Sequence, residues 1–359
     1  MDIEQLAREN IRRLVAYSSA RSEFKGSAEV WLDANENPFD TGYNRYPDPL
    51  QQQVKAQLSR LKGVATENIF LGNGSDEAID LLIRIFCEPR IDHILTLPPT
   101  YGMYQVSADI ADVAVRTVKL MPNFQPDVAA ILAAATPQSK LLFICSPNNP
   151  TGNRIDLAAI RALAEGFPGI TVVDEAYIDF APGAGALPLL DDFPRLVVMQ
   201  TFSKAWGLAG IRLGMAFADL RIIALLNKVK PPYNVNQLTQ AAALEALAQP
   251  EAMQEAVQTL IAERKKLETA LVASPVVQQI YPSDANFLLV KTADPGGLYR
   301  FFVEEKIVVR NRSGVVLCEG CLRITVGTPT ENERLLLALD TYAKKGAHGS
   351  GIPHSSPRS

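Results

Sequence analysis

Lys204 stands inside TFSKAWGLAGIRLG (201–214), a nearly all small or apolar stretch, with Thr201 and Ser203 before it and Arg212 after it. An amine in apolar surroundings gives up its proton more readily, and a neutral lysine is a nucleophile able to form a Schiff base. Two other segments carry groups that would complement such an amine. VVDEAYIDF (172–180) puts Asp174 at the end of a branched apolar run, with Tyr177 three residues on. CSPNNPTGN (145–153) puts Asn148 and Asn149 after a second such run, in a loop stiffened by prolines and turned by Thr-Gly. An ionised aspartate can keep a pyridine nitrogen protonated, which turns the ring into an electron sink. The hydroxyls of Thr201 and Ser203, with Arg212, could hold a phosphate. The helix start at GNGSDE (72–77) could do the same, because free N–H groups and the helix dipole favour an anion there. Asp76 and Glu77 oppose this unless their side chains turn away. Each segment alone is an ordinary turn after a strand. Together they deliver an amide, an acid with a phenol, and an amine with hydroxyls.

Composition removes most other chemistries. The chain has 359 residues, long enough for two lobes, and a net charge of −4 that offers no footprint for nucleic acid or an anionic membrane. No run approaches the ~20 apolar residues of a membrane span. The charged, amphipathic start MDIEQLARENIRRL lacks the apolar core of a signal peptide, so a cytoplasmic protein is expected. Of three histidines, His348 and His354 lie in a Gly/Ser/Pro-rich tail and only His93 lies in the body. A Ser-His-Asp triad or a histidine-rich metal site is thereby excluded, and no metal is expected. Cys318 and Cys321 form a CxxC, but no second pair accompanies them, so they read as thiols flanking a tight turn.

Strands must position these groups. HILTL (93–97), KLLFICS (140–146), ITVVDEA (170–176), RLVVMQT (195–201) and LGMAFA (213–218) read as strands buried on both faces of a mostly parallel sheet. Helical stretches separate them: SDEAIDLLIRIFCE (75–88), with Ser75 as N-cap, DLAAIRALAEG (156–166) and DLRIIALLNKVK (219–230). The rhythm predicts an α/β fold with helices on both faces of the sheet and ligands at the strands' C-terminal edge. After about residue 250 a long helix precedes short strands near 276–281, 286–290, 307–310 and 321–326, the pattern of a smaller α+β lobe. The expected organisation is an N-terminal arm (1–35) joining the small lobe, a large domain (36–250), a small domain (251–344) and a disordered tail (345–359).

The ordered set NGSDE, PPTYGMY, SPNNPTG, VVDEAYIDF, TFSKAWGLAGIRLG and CLRITVGT resembles the pyridoxal-phosphate aminotransferases of the aspartate-aminotransferase fold. WLDANENPF with NRYP, PPTYGMY and CLRITVGT make it most similar to the histidinol-phosphate branch. The likeness runs from the start of the chain to about residue 344. It implies the fold type I architecture of pyridoxal-phosphate enzymes and a homodimer whose active sites are shared between subunits. Lys204 would bind the cofactor covalently and then shuttle a proton, and Asp174 would pair with its ring nitrogen. Asn149 and Tyr177 would bond its 3′-oxygen, and Tyr101 would stack on its ring. Its phosphate would lie on the N–H groups of Ser75 and Asp76, on Thr201, Ser203 and Arg212, and on Tyr46 of the neighbouring subunit. Tyr17, Asn149, Arg310 and Arg323 would bind substrate, the two arginines taking a phosphate dianion. Gln200 and Trp206 depart from arginine and phenylalanine in many relatives, and both flank the chemistry without carrying it.

The reaction so implied is amine exchange between L-histidinol phosphate and 2-oxoglutarate, giving imidazole-acetol phosphate and L-glutamate in histidine biosynthesis. The competing readings are an aromatic amino acid aminotransferase, a threonine-phosphate decarboxylase of the same fold, and a non-catalytic aminotransferase-like regulator. The last would carry an added basic DNA-binding segment, and none is present.

Overall fold

A computed structural model describes residues 2–17, 23, 24, 26 and 28–349. Its larger sheet has seven strands: β1 (Ile69–Asn73), β2 (His93–Thr96), β3 (Ala114–Thr117), β4 (Ser139–Cys145), β5 (Ile170–Asp174), β6 (Leu196–Thr201) and β7 (Leu213–Ala218). They lie in the order β1-β7-β6-β5-β4-β2-β3. Neighbours from β3 to β6 run parallel, and β7 is antiparallel to both β6 and β1. Strands β4 to β7 are almost wholly buried because helices cover both faces, which explains their near-continuous apolar sequences. That same apolarity hides direction, so LGMAFA looked like its parallel neighbours. Two strands were not anticipated. β1 runs within two residues into the next helix, and β3 is a short, largely exposed edge.

The helix after β1 spans Ser75–Phe86 and buries Ile79, Leu82, Ile83 and Phe86 against the sheet. Gly74, not Ser75, is its N-cap, with φ of 72°. A side chain at position 74 would put Cβ 2.7 Å from Arg212 Nη2, so a glycine is needed where the arginine passes.

A second sheet is antiparallel throughout: β8 (Val277–Ile280), β9 (Phe287–Thr292), β10 (Arg310–Asn311) and β11 (Cys321–Thr325), in the order β10-β11-β9-β8. The long helix Pro250–Val272 and helices Pro295–Glu304 and Pro329–Gly349 pack with it through Leu267, Leu271, Phe302 and Leu339. The last helix continues to Gly349, beyond the boundary expected at 344, and the rest of the expected tail lies outside the described residues.

The N-terminal segment differs from expectation. Ile3, Leu6, Ala7 and Ile11 join the core of the large lobe with the helices Ser75–Phe86 and Leu220–Val229. Arg8 pairs with Glu88, and Arg221 with Asp2, so polar contacts hold the same docking. The amphipathic pattern identified a buried face without saying which lobe covers it. The small sheet closes over the large one between Gly152 and Asp284, whose N–H donates to the glycine carbonyl at 2.8 Å. No helix among the described residues is long and apolar enough to cross a membrane.

Candidate active site

Three strand ends and one helix start meet at a single cavity. It is lined by Ser75, Asp76, Tyr101, Asn149, Asp174, Tyr177, Thr201, Ser203, Lys204 and Arg212, with Gly74, Cys145, Ala176 and Ala209 between them. Parallel β4, β5 and β6 are in register, Cys145 opposite Asp174 and Asp174 opposite Met199, so the loops leaving them emerge side by side. This is the C-terminal edge at which open α/β sheets bind ligands.

Lys204 Nζ stands 5.5 Å from the centroid of the Tyr177 ring and has no hydrogen-bond partner among the described residues. Burial holds its pKa below the usual lysine value, Arg323 adds to the effect, and Asp174 opposes it. Such an amine is available as a nucleophile and base. Asp174 is 2% exposed, and burial pushes its carboxyl up to about 6. Tyr104 Oη donates to Oδ2 at 2.8 Å and the Ala176 N–H to Oδ1 at 3.2 Å, both favouring the ionised form. Burial raises the phenols of Tyr101 and Tyr177 above their ordinary value.

The opposite wall suits an anion. The N-terminal N–H groups of the Ser75–Phe86 helix receive no side-chain cap. Arg212, itself at φ 54°, reaches Ser203 Oγ at 3.5 Å and Asp76 Oδ2 at 3.4 Å. Tyr101 Oη donates to Asp76 Oδ1 at 3.2 Å, so that acid's charge is drawn toward partners rather than left facing the helix start. Thr201 Oγ1 donates to the Leu213 carbonyl and accepts from the Ser203 N–H. Gly214 lets this wall close, because a Cβ there would lie 2.1 Å from the Ser75 nitrogen. A buried acid for a ring nitrogen, an unpaired lysine, and N–H, hydroxyl and guanidinium donors for a phosphate therefore fit pyridoxal phosphate.

The small lobe contributes Arg323 of β11. Its Nη1 donates to Asn149 Oδ1 at 2.5 Å, and its guanidinium lies 5.2 Å from the Phe287 ring centroid. Arg310 is directly opposite Arg323 across the β10–β11 pair but exposed, and it does not line the cavity. Tyr17 does not reach the cavity either. The docked N-terminal helices leave it 74% exposed, which corrects the expectation for a single chain. Tyr46, assigned to a neighbouring subunit's site, stacks on Tyr233 at 4.4 Å in a separate surface hollow and is no wall of its own chain's cavity.

Other placements were not anticipated. Asn148 serves the loop itself, donating to the Pro99 carbonyl and Thr151 Oγ1. Gln200 bonds buried Glu175 at 3.0 Å, and Trp206 packs on Phe202. Tyr104 was missed. Three residues after Tyr101, in the first turn of the helix Met103–Ile110, it is wholly buried against Phe143 and reads as core, yet its hydroxyl supports Asp174. Arg312 was missed as well. It follows Arg310 by two residues, and its Nε is buried without a hydrogen-bond partner.

Comparison with known proteins agrees with this geometry. The model of the family "Aminotransferase class I and II" matches residues 20–339. A histidinol-phosphate aminotransferase of Cytophaga hutchinsonii is 54% identical over 344 residues, covering 95% of this chain and 99% of the relative. That of Parabacteroides distasonis is 54% identical over 338 residues, covering 94% and 98%. Among solved structures, the histidinol-phosphate aminotransferase of Clostridium acetobutylicum superposes with a TM-score of 0.77 at 23% identity, covering 85% of this chain and 92% of that one. The Sinorhizobium meliloti enzyme, in complex with pyridoxal-5′-phosphate, gives 0.76 at 24% identity, covering 84% and 83%. With nearly its whole length matched at such identity and a lysine, an acid and an anion grip on one cavity, the chain belongs to the class I and II aminotransferases, in the histidinol-phosphate aminotransferase branch.

Proposed function

We propose that this chain transfers the amine of L-histidinol phosphate to 2-oxoglutarate, with pyridoxal phosphate as cofactor, yielding imidazole-acetol phosphate and L-glutamate in histidine biosynthesis. The observation that carries this reading is Lys204 and Asp174 on one cavity with Arg323 at its small-lobe side, in a chain 54% identical to named histidinol-phosphate aminotransferases. When bound, pyridoxal phosphate supplies an electron sink for charge developing at the substrate's amine-bearing carbon. Ser75 and Asp76 N–H groups, Thr201, Ser203 and Arg212 would hold its phosphate. Asn149 and Tyr177 would bond its 3′-oxygen, Tyr101 would cover its ring, and Asp174 would keep its ring nitrogen protonated.

Lys204 Nζ, its pKa lowered by burial and by Arg323, takes and returns the proton at the substrate carbon. Arg323 fixes the substrate's anionic end and, through Asn149, ties that end to the cofactor side of the cavity. Small-lobe packing through Tyr177, Phe287 and Ala285 keeps water from this region. The chain works as a homodimer in the cytoplasm. Exposed apolar residues at the end of the N-terminal arm and just after it, Val30, Leu32 and Phe39 at 73%, 88% and 78%, supply the surface a second subunit would cover. Tyr46, in the segment after the arm, would come to a neighbour's site in that assembly.

The test is chemical. Borohydride reduction of the loaded protein followed by peptide mass spectrometry is expected to fix the cofactor on Lys204, and Lys204→Ala to lose about 10²–10⁴-fold or more in turnover of histidinol phosphate. Label on another lysine, or full turnover in the variant, removes the mechanism. Phenylalanine or phosphothreonine outperforming histidinol phosphate as donor removes the substrate assignment.

A further inference from the structure

We propose that Arg312 joins Arg310 and Arg323 in a three-guanidinium subsite that selects the dianionic phosphate of the amine donor over the singly charged carboxylates of the amine acceptor. The inference rests on the functional reading above and adds a residue to it. It starts from strand register. Arg310 is paired directly with Arg323, and the Arg312 N–H donates to the Cys321 carbonyl at 2.9 Å, carrying the ladder one step further. Alternate residues of an extended strand share a face, as do residues directly opposite in an antiparallel pair. Arg310, Arg312 and Arg323 therefore occupy one face of the β10–β11 hairpin.

Three like charges so placed repel one another and need a counterion. Among the described residues no carboxylate forms an ion pair with any of them. Buried donors here also lack partners: Arg312 Nε, Arg323 Nε and the hydroxyl of Ser313, neighbour of Arg312, make no hydrogen bond. Unpaired buried donors clustered in one hairpin mark a place built for an acceptor that arrives from outside. The cluster is continuous with the cavity, since Arg323 bonds Asn149. Burial and mutual repulsion hold the guanidiniums of Arg312 and Arg323 below their ordinary pKa, as expected for cations awaiting an anion.

A phosphate monoester suits this arrangement better than a carboxylate. One guanidinium fork satisfies both oxygens of a carboxylate, whereas a phosphate dianion spreads its charge over three oxygens and can engage several forks. Arg312 should therefore matter for the donor and little for glutamate. Steady-state kinetics on the loaded enzyme are expected to show Arg312→Gln raising KM for histidinol phosphate about 10- to 100-fold. KM for glutamate should change less than about 3-fold and kcat less than about 2-fold, with Arg312→Lys intermediate. The wild-type affinity should weaken below about pH 6, where the dianion takes up a proton and becomes a monoanion, and the variant should show a flatter profile.

Calorimetric titration of the loaded enzyme with inorganic phosphate provides a readout independent of turnover, and Arg312→Gln is expected to weaken that binding in parallel. An unchanged donor KM and unchanged phosphate binding overturn the proposal. So does an equal loss for donor and glutamate alike, or a fall in melting temperature that accounts for the change. Wild-type enzyme that binds phosphate through Arg312 yet fails to use histidinol phosphate overturns the functional reading instead.

Discussion

Replacing Asp174 by asparagine should stabilise the cofactor-free protein while destroying its capacity to be stabilised by the cofactor. The carboxyl is 2% exposed, and burial pushes it up to about 6 from its ordinary 3.8, even with Tyr104 and Ala176 donating to it. A carboxyl with a raised folded-state pKa binds its proton more tightly when folded than when unfolded. Native stability therefore falls as pH rises from about 4 to about 6 and stays lower above that window. At about 1.4 kcal/mol per pH unit, the ionised group costs the folded, cofactor-free chain about 3 kcal/mol. Asparagine removes the charge and keeps one oxygen to accept from Tyr104, while its NH2 faces the Ala176 N–H, so about 3 kcal/mol is the upper bound of the gain. For a chain of this size the gain corresponds to about 4 °C in Tm near pH 7.5 and vanishes near pH 4. Glu175, pushed up to about 7 by its own burial, titrates in both proteins and cancels in the difference. Pyridoxal phosphate reverses the order, because a protonated ring nitrogen beside Asp174 favours the ionised form. Melting curves of both proteins, with and without cofactor, across pH 4 to 8 test this. A cofactor-free variant no more stable than wild type near neutrality, or equal stabilisation of both by cofactor, would refute the reasoning.

Two further substitutions probe the supports of the site. Tyr104→Phe removes the donor to Asp174 Oδ2, so the carboxyl should rise further and the pH midpoint of cofactor affinity should move upward with it. An unmoved midpoint in fluorescence titrations would mean that Tyr104 only fills space against Phe143. Gly214→Ala places a methyl 2.1 Å from the Ser75 nitrogen and 2.3 Å from the Gly74 carbonyl carbon, so the helix start must retreat from the cavity. Overpacking of this kind costs about 1–3 kcal/mol, and cofactor affinity should fall more than about 10-fold. Gly210→Ala, with nothing within 4 Å, is the control, and equal behaviour of the two variants would exclude close approach as the cause.

The difference between what the sequence disclosed and what it withheld is a difference between along-strand and between-strand information. Asp174, Asn149 and Lys204 were legible because each follows an apolar run, and in a parallel sheet the ends of such runs share one edge. The reversed direction of β7 was not, since a strand buried on both faces reads identically either way. Nor was the docking of the N-terminal helices on the large lobe, because amphipathicity names a face but no partner. Tyr104 shows the limit at the site itself. A tyrosine three residues from a cavity residue is indistinguishable from core until the helix Met103–Ile110 and β5 are set side by side. Arg312 shows a subtler limit. In NRSG it looks like the start of a turn, and its residue type alone suggests a solvated charge. Only the register that pairs Arg310 with Arg323 puts the third guanidinium on their face, and only burial leaves its Nε without a partner. The fold thus places an arginine beside two others at a cost in repulsion that no carboxylate among the described residues offsets; Asn149 and the Phe287 ring serve Arg323 alone. Placement of that kind is accounted for by a dianion, and the comparison of phosphate with carboxylate substrates in Arg312→Gln is where the account can fail.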